Sequence, residues 1–114
     1  MPSFGSTTAT IADGQTASAE VDLGHTGLTL VGIIVPSTWA TASISFTAAT
    51  ASGGTFYPVY SAAGAAIATG SIAGGTAVWL ALDPADFAGI RFLKLVASAA
   101  QSGGDTLTLI TRAV

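Results

Sequence analysis

Cysteine is absent from this chain and cations are scarce, and each shortage removes a class of function. Without a thiol there is no disulfide, no thiolate nucleophile and no cysteine-based zinc site, and a reducing cytoplasm is the expected place of synthesis. Three Lys/Arg face six Asp/Glu, for a formal net charge of −3. A phosphate backbone would be repelled, so nucleic-acid binding, which needs clustered cations to release counterions, is not expected. Long hydrophobic runs are missing too: residues 30–35 fall far short of the roughly 20 residues of a transmembrane helix, and no membrane span is expected. Residues 1–14 offer neither the cation nor the apolar stretch of a secretory signal. Charged residues of both signs make up 8% of the chain, well below the roughly 25% of an average globular domain.

What is present is apolar and small. Hydrophobic residues reach 50% and mean hydropathy is +0.67, while Thr, Ser and Gly take the outward positions that Lys and Glu usually occupy. Such a neutral skin of short side chains suits burial against neighbours, because little rotamer freedom is lost when they are immobilised. At 114 residues the chain has room for one core.

The dominant periodicity is two, in short segments punctuated by glycine. Residues 16–23 alternate, with Ala17, Ala19, Val21 and Leu23 on one face and Thr16, Ser18, Glu20 and Asp22 on the other. Residues 28–35 are apolar on both parities, which predicts a central strand covered on both sides, and Pro36 ends it. Residues 42–48 alternate again, and residues 56–60 form a short strand that Pro58 assigns to a sheet edge. A weak strand is expected at 66–69 and a better one at 76–82, and the last two at 90–97 and 106–111, joined by a loop over 98–105. Asp83, Pro84 and Asp86 have the chemistry of a single capped helical turn. About eight strands at this spacing predict an all-β fold, a single-domain antiparallel β-sandwich of jelly-roll type over residues 11–114. Residues 1–10, Ser/Thr-rich with an isolated Phe4, read as an N-terminal arm that either orders on binding or stays disordered.

Catalytic equipment is hard to find. The single histidine, His25, sits between glycines in a turn and reads as solvated surface, so a nucleophile would lack its base. The acids are scattered, with no metal-ligand spacing; Asp13 and Asp105, in loops that can meet, are the one place a weak calcium site would fit. Glycine pairs 53–54, 74–75 and 103–104 each fall between strands, as turns do, with no Lys-Ser or Lys-Thr following as in a phosphate loop. The chain is therefore not expected to be an enzyme, nor to carry a cofactor. Aromatic residues divide between two uses. Phe46, Phe56, Phe87, Phe92 and Trp79 are expected in the core, with Trp39, Tyr57 and Tyr60 at a rim or subunit contact; alternatively Trp39, Phe56, both tyrosines and Trp79 supply a stacking platform for a sugar. Arg91 and Lys94 should fall on opposite faces of one strand, making separate contacts. Arg112 is the remaining cation.

Three stretches carry a resemblance: residues 28–36 (LTLVGIIVP) followed by Trp39; Ile44-Ser45-Phe46 leading to Ser52-Gly53-Gly54-Thr55-Phe56 and Pro58-Val59-Tyr60; and residues 82–96 (LDPADFAGIRFLKLV). They resemble small proteins of tailed-phage virion gene clusters, and their order is similar to a galactose-binding-like (discoidin-type) jelly roll. The resemblance implies a virion structural protein and carries over no ligand site. A capsid decoration, or cement, protein on the particle exterior fits this composition best, binding major capsid protein or other virion subunits. Phe4, Trp39, Tyr57, Tyr60, Arg91 and Arg112 are the expected partner-binding residues, and the apolar content favours a homo-oligomer, a trimer first. The alternative is a tail or baseplate module binding host carbohydrate through Trp39 and the tyrosines.

Overall fold

The pairing that organises the molecule joins its two ends. In the computed structural model, which describes residues 4–23 and 28–113, strand β1 (Phe4–Ile11) runs antiparallel to β9 (Asp105–Ala113) from Phe4↔Arg112 to Ile11↔Asp105. Strand β4 (Leu28–Val35) flanks β9 on its other side, and β7 (Val78–Ala81) pairs with β4, so the first sheet is ordered β1-β9-β4-β7. The second contains β2 (Gln15–Ala17), β8 (Phe92–Gln101), β5 (Ile44–Ala49) and β6 (Tyr57–Pro58) in that order, with β3 (Val21–Asp22) also on β8. Every pairing is antiparallel. With β2 and β3 taken as one interrupted strand, the two sheets have the wrapping order of a jelly roll, and the expected β-sandwich is what the chain forms.

Alternation builds the core between the sheets. Ile11, Leu30, Ile33, Val35, Ile44, Leu93, Leu95, Leu107 and Leu109 are fully buried there, each contributing about 1.5–3 kcal/mol by leaving water. Strand β4 keeps its predicted bounds and explains its double apolar parity by a bulge. Leu30 pairs with Thr111 but Gly32 with Ile110, so Val31 is an extra residue. The insertion lets Leu30 and Ile33 both point inward despite their odd spacing. Val31 and Ile34 are half-buried on the outer side, where full cover was expected. The turn after β7 forms as its sequence predicts: Asp83 accepts the Ala85 N–H at 3.0 Å and Pro84 opens a 3-10 turn, Pro84–Asp86. The Thr29 hydroxyl donates to the Pro84 carbonyl at 3.3 Å, tying this turn to β4. Phe87 then enters the core edge-on to Phe46, with ring centroids 4.9 Å apart.

Four segments depart from expectation. Residues 1–10 were expected as an arm; from Phe4 onward they belong to edge strand β1, paired along its length with β9. Residues 16–23 break into β2 and β3, because Ala17 pairs with Val96 but Val21 with Leu93, one residue out of step. That slip turns Ser18 inward and leaves Ala17 and Ala19 exposed. The Ser18 hydroxyl is satisfied there, accepting the Leu95 N–H at 3.0 Å and donating to the Ala19 carbonyl at 2.9 Å. Residues 66–69 contribute only single bridges, Tyr60↔Ala66 and Ser45↔Ala68. Strand β8 continues to Gln101, so the first half of the expected loop over 98–105 is strand.

Candidate interaction surface

The two tryptophans have exchanged their expected places. Trp39 is 2% exposed and Trp79 is 63% exposed. Trp39 follows the Pro36 turn, where its N–H donates to the Pro36 carbonyl at 3.1 Å and its indole Nε1–H to the Ala42 carbonyl at 3.3 Å. Gly74 lies against it so closely that a Cβ there would sit 2.0 Å from the Trp39 carbonyl oxygen. Trp39 is therefore a core residue, neither a partner contact nor a sugar platform. Trp79 stands on edge strand β7, paired with Ile34, and its ring lies over Gly32, where a Cβ would meet its Nε1 at 2.8 Å. The signal was in the sequence: Val78, Leu80 and Leu82 share one parity and point in, which sends Trp79 and Ala81 out.

Around Trp79 the outer face of the β1-β9-β4-β7 sheet is almost uncharged. It presents Ser6, Thr8 and Thr10 from β1, Thr106, Thr108 and Ile110 from β9, Ile34 from β4 and Ala81 beside Trp79, with Arg112 at one end. Thr8 pairs with Thr108 and Thr10 with Thr106, and the last two hydroxyls hydrogen bond at 3.1 Å. Cross-strand hydroxyl pairs of this kind hold each other in place without long side chains.

Charge gathers on the other sheet. Arg91 forms a two-pronged ion pair with Asp22, Nε to Oδ1 at 2.9 Å and Nη2 to Oδ2 at 3.1 Å, and its guanidinium lies 4.7 Å from the Phe92 ring centre. Lys94 sits over Phe56 at 4.5 Å. Phe92 and Lys94 share one parity of β8, so Arg91 reaches over to the face of Lys94 rather than the opposite one. Glu20 accepts the Gly53 N–H at 2.7 Å and the Ser52 hydroxyl at 2.6 Å. These two donors, the backbone one first, hold its carboxyl below the ordinary value of 4.5. Tyr57 and Tyr60 are exposed as expected, but their odd spacing in an extended segment turns them to opposite sides, so they do not form one platform. Arg112 is exposed and engaged within the molecule. His25 and the ring of Phe4 lie outside the described residues.

Asp13, in the turn after β1, and Asp105, the first residue of β9, lie at the same end of the β1–β9 pair, and each has its own work. Asp13 accepts the Gly103 N–H at 2.7 Å. Asp105 is buried, accepting the Thr38 hydroxyl on Oδ1, while its Oδ2 has no hydrogen-bond partner among the described residues. No group of three or more His, Cys, Asp or Glu able to hold a metal occurs among those residues. A cleft of about 330 Å3 opens between the sheets beside β7, lined by Phe46, Ile67, Leu80, Leu82, Phe87 and Asp86 among others. No known protein family, curated protein or solved structure matches this chain.

Proposed function

We propose that this protein is a virion structural protein of a tailed phage, a capsid decoration (cement) protein that binds major capsid protein subunits on the particle exterior and stabilises the shell. The observation that carries the reading is the outer face of the β1-β9-β4-β7 sheet, nearly uncharged, built on paired strands and bordered by an exposed Trp79 on edge strand β7. Short hydroxyl side chains lose little entropy on contact, and a large aromatic supplies the anchor around which such contacts become an interface. The resemblance of residues 28–36, 44–60 and 82–96 to phage virion proteins supports this choice of partner. A homotrimer suits the role, because three modest contacts made together hold far longer than one. In this role the molecule transforms no substrate and needs no cofactor.

Shells assembled without this protein, mixed with the purified chain and sedimented, test the proposal. Saturable attachment in proportion to shell subunits and a raised shell melting temperature are expected. Trp79→Ala should weaken attachment at least about tenfold, the effect of a lost aromatic anchor, while Glu20→Gln on the opposite sheet should leave it unchanged. Attachment to tails rather than shells, with a glycan-array signal that disappears in Tyr60→Ala, would replace this reading with a tail or baseplate module.

A further inference from the structure

The sandwich ends one strand early beside β7. Among the described residues this strand is last in its sheet and pairs only with β4. The Leu82 N–H donates to the Val31 carbonyl at 3.1 Å, so by antiparallel alternation residues 78, 80 and 82 turn their backbone groups toward β4. Trp79 and Ala81 then direct theirs off the edge. Edges like this are normally blunted by a charge, a proline or a bulge; the sequence of β7, VWLA, contains neither charge nor proline, and its register with β4 is unbroken. Next to it the gap between the sheets stays open as the 330 Å3 cleft, floored by Phe46, Ile67, Leu80, Leu82 and Phe87. At the end near the 3-10 turn stand two carboxylates. Asp83 is occupied in capping Ala85. Asp86 is half-buried, and its carboxylate has no hydrogen-bond or ion-pair partner among the described residues.

We infer that the β7 edge accepts an extended segment of a different polypeptide, whose inward side chains fill the cleft and whose lysine or arginine meets Asp86. A strand laid along β7 would bond to the free groups of Trp79 and Ala81 and alternate its side chains. One set would lie beside the Trp79 ring, the other between the sheets. The apolar floor selects aliphatic side chains for that inner set, and Asp86 selects a cation at one end. A second copy of this chain does not supply that cation: Arg91 is held by Asp22, Lys94 stands over Phe56, and Arg112 is engaged. None of this depends on where the protein works, so the edge can be tested apart from any capsid.

The test titrates the full 15N-labelled chain with two synthetic peptides, acetyl-Lys-Thr-Leu-Thr-Val-amide and its counterpart with Glu in place of Lys. With the Lys peptide, the Trp79 and Ala81 amides and the Trp79 indole should shift and their hydrogen exchange should slow. The Glu peptide should bind about fivefold more weakly, the scale of one partly exposed ion pair, and Asp86→Asn should bring that ratio below about twofold. Ala81→Pro removes a donor that β4 does not use, so the fold should persist, as its spectrum would show, and binding should be lost. Equal affinity for both peptides, shifts confined to other strands, undiminished binding by folded Ala81→Pro, or no binding at all would each overturn the inference. So would concentration-dependent shifts of the same amides without peptide, which would make a second copy the occupant.

Discussion

Glu20 couples the interrupted strand β2/β3 to the turn after β5 with one carboxylate, which accepts from Gly53 and Ser52. Both donors favour the ionised form, so the group binds its proton less tightly in the folded chain than in the unfolded one. The stabilisation is therefore complete above the unfolded value near 4.5 and is lost as pH falls through the lower folded value. Urea midpoints measured from pH 6 to pH 3 should fall for the wild type below about pH 4.5, and Glu20→Gln should flatten that part of the curve. A slope unchanged by Glu20→Gln would show that other carboxylates carry it. The tryptophans make the second prediction at this scale. Trp39→Ala should cost about 3–5 kcal/mol, as truncation of a buried aromatic does, whereas Trp79→Ala should cost less than about 1 kcal/mol. Acrylamide should quench the fluorescence of Trp39→Phe, which keeps only Trp79, far more than that of Trp79→Phe. Neither assignment followed from residue type, since both rings are equally apolar. Parity placed Trp79 outward, while the burial of Trp39 comes from a turn and from Gly74, a residue too far along the chain for any local pattern to signal.

Strands whose two faces differ in polarity were legible in the sequence, and those whose faces are both small were not. Strands β5, β7 and β9 fall within a few residues of their predicted places because Leu, Ile, Val and Phe alternate with polar or outward residues there, and β4 does so because its run is apolar on both parities and ends at Pro36. Among residues 5–11 of strand β1 (FGSTTATI) the buried side chains are Ala9 and Ile11, so the alternation there is written in one methyl and one isoleucine. Ser6, Thr7, Thr8 and Thr10 carry hydroxyls, and the strand identity comes from eight consecutive partners on β9 rather than from its own apolar face. The same physics hid the bulges: a one-residue slip at Ser18 or Val31 is decided by the neighbouring strand. The arm reading implied that a chain lacking residues 1–10 would still fold normally, and the pairing reverses that expectation. Deleting them uncovers the β9 edge and removes Ala9 from Leu107. The truncated chain should lose several kcal/mol, on the order of the buried Ala9 together with its ladder bonds, and should aggregate through the exposed edge. Unchanged denaturant midpoint and solubility would mean that β1 adds nothing to the fold.

At the scale of the whole molecule the jelly roll separates charge from contact. Glu20, Asp22, Arg91 and Lys94 sit on the side of the second sheet, where Arg91 pairs with Asp22, Lys94 lies over the Phe56 ring and Glu20 accepts from Ser52 and Gly53. The outside of the first sheet carries hydroxyls, small apolar side chains and Trp79, with Arg112 at its margin. An interface made by that face should draw little from long-range attraction, because a net charge of −3 is small and most of the charged side chains already have partners. Its free energy should come from covering Trp79, Ile34, Ile110 and the threonine pairs, which removes apolar area from water and so lowers the heat capacity. Raising salt from about 0.05 to 0.5 M shortens the reach of charges several-fold. Attachment to shells by the proposed route should change by less than about threefold over that range, while its enthalpy should become steadily more negative with temperature. Calorimetric titration at three temperatures and two salt concentrations reads both quantities. An affinity that falls a hundredfold with salt would place the contact on the charged sheet instead, and Arg91→Ala rather than Trp79→Ala would then be the variant that abolishes it.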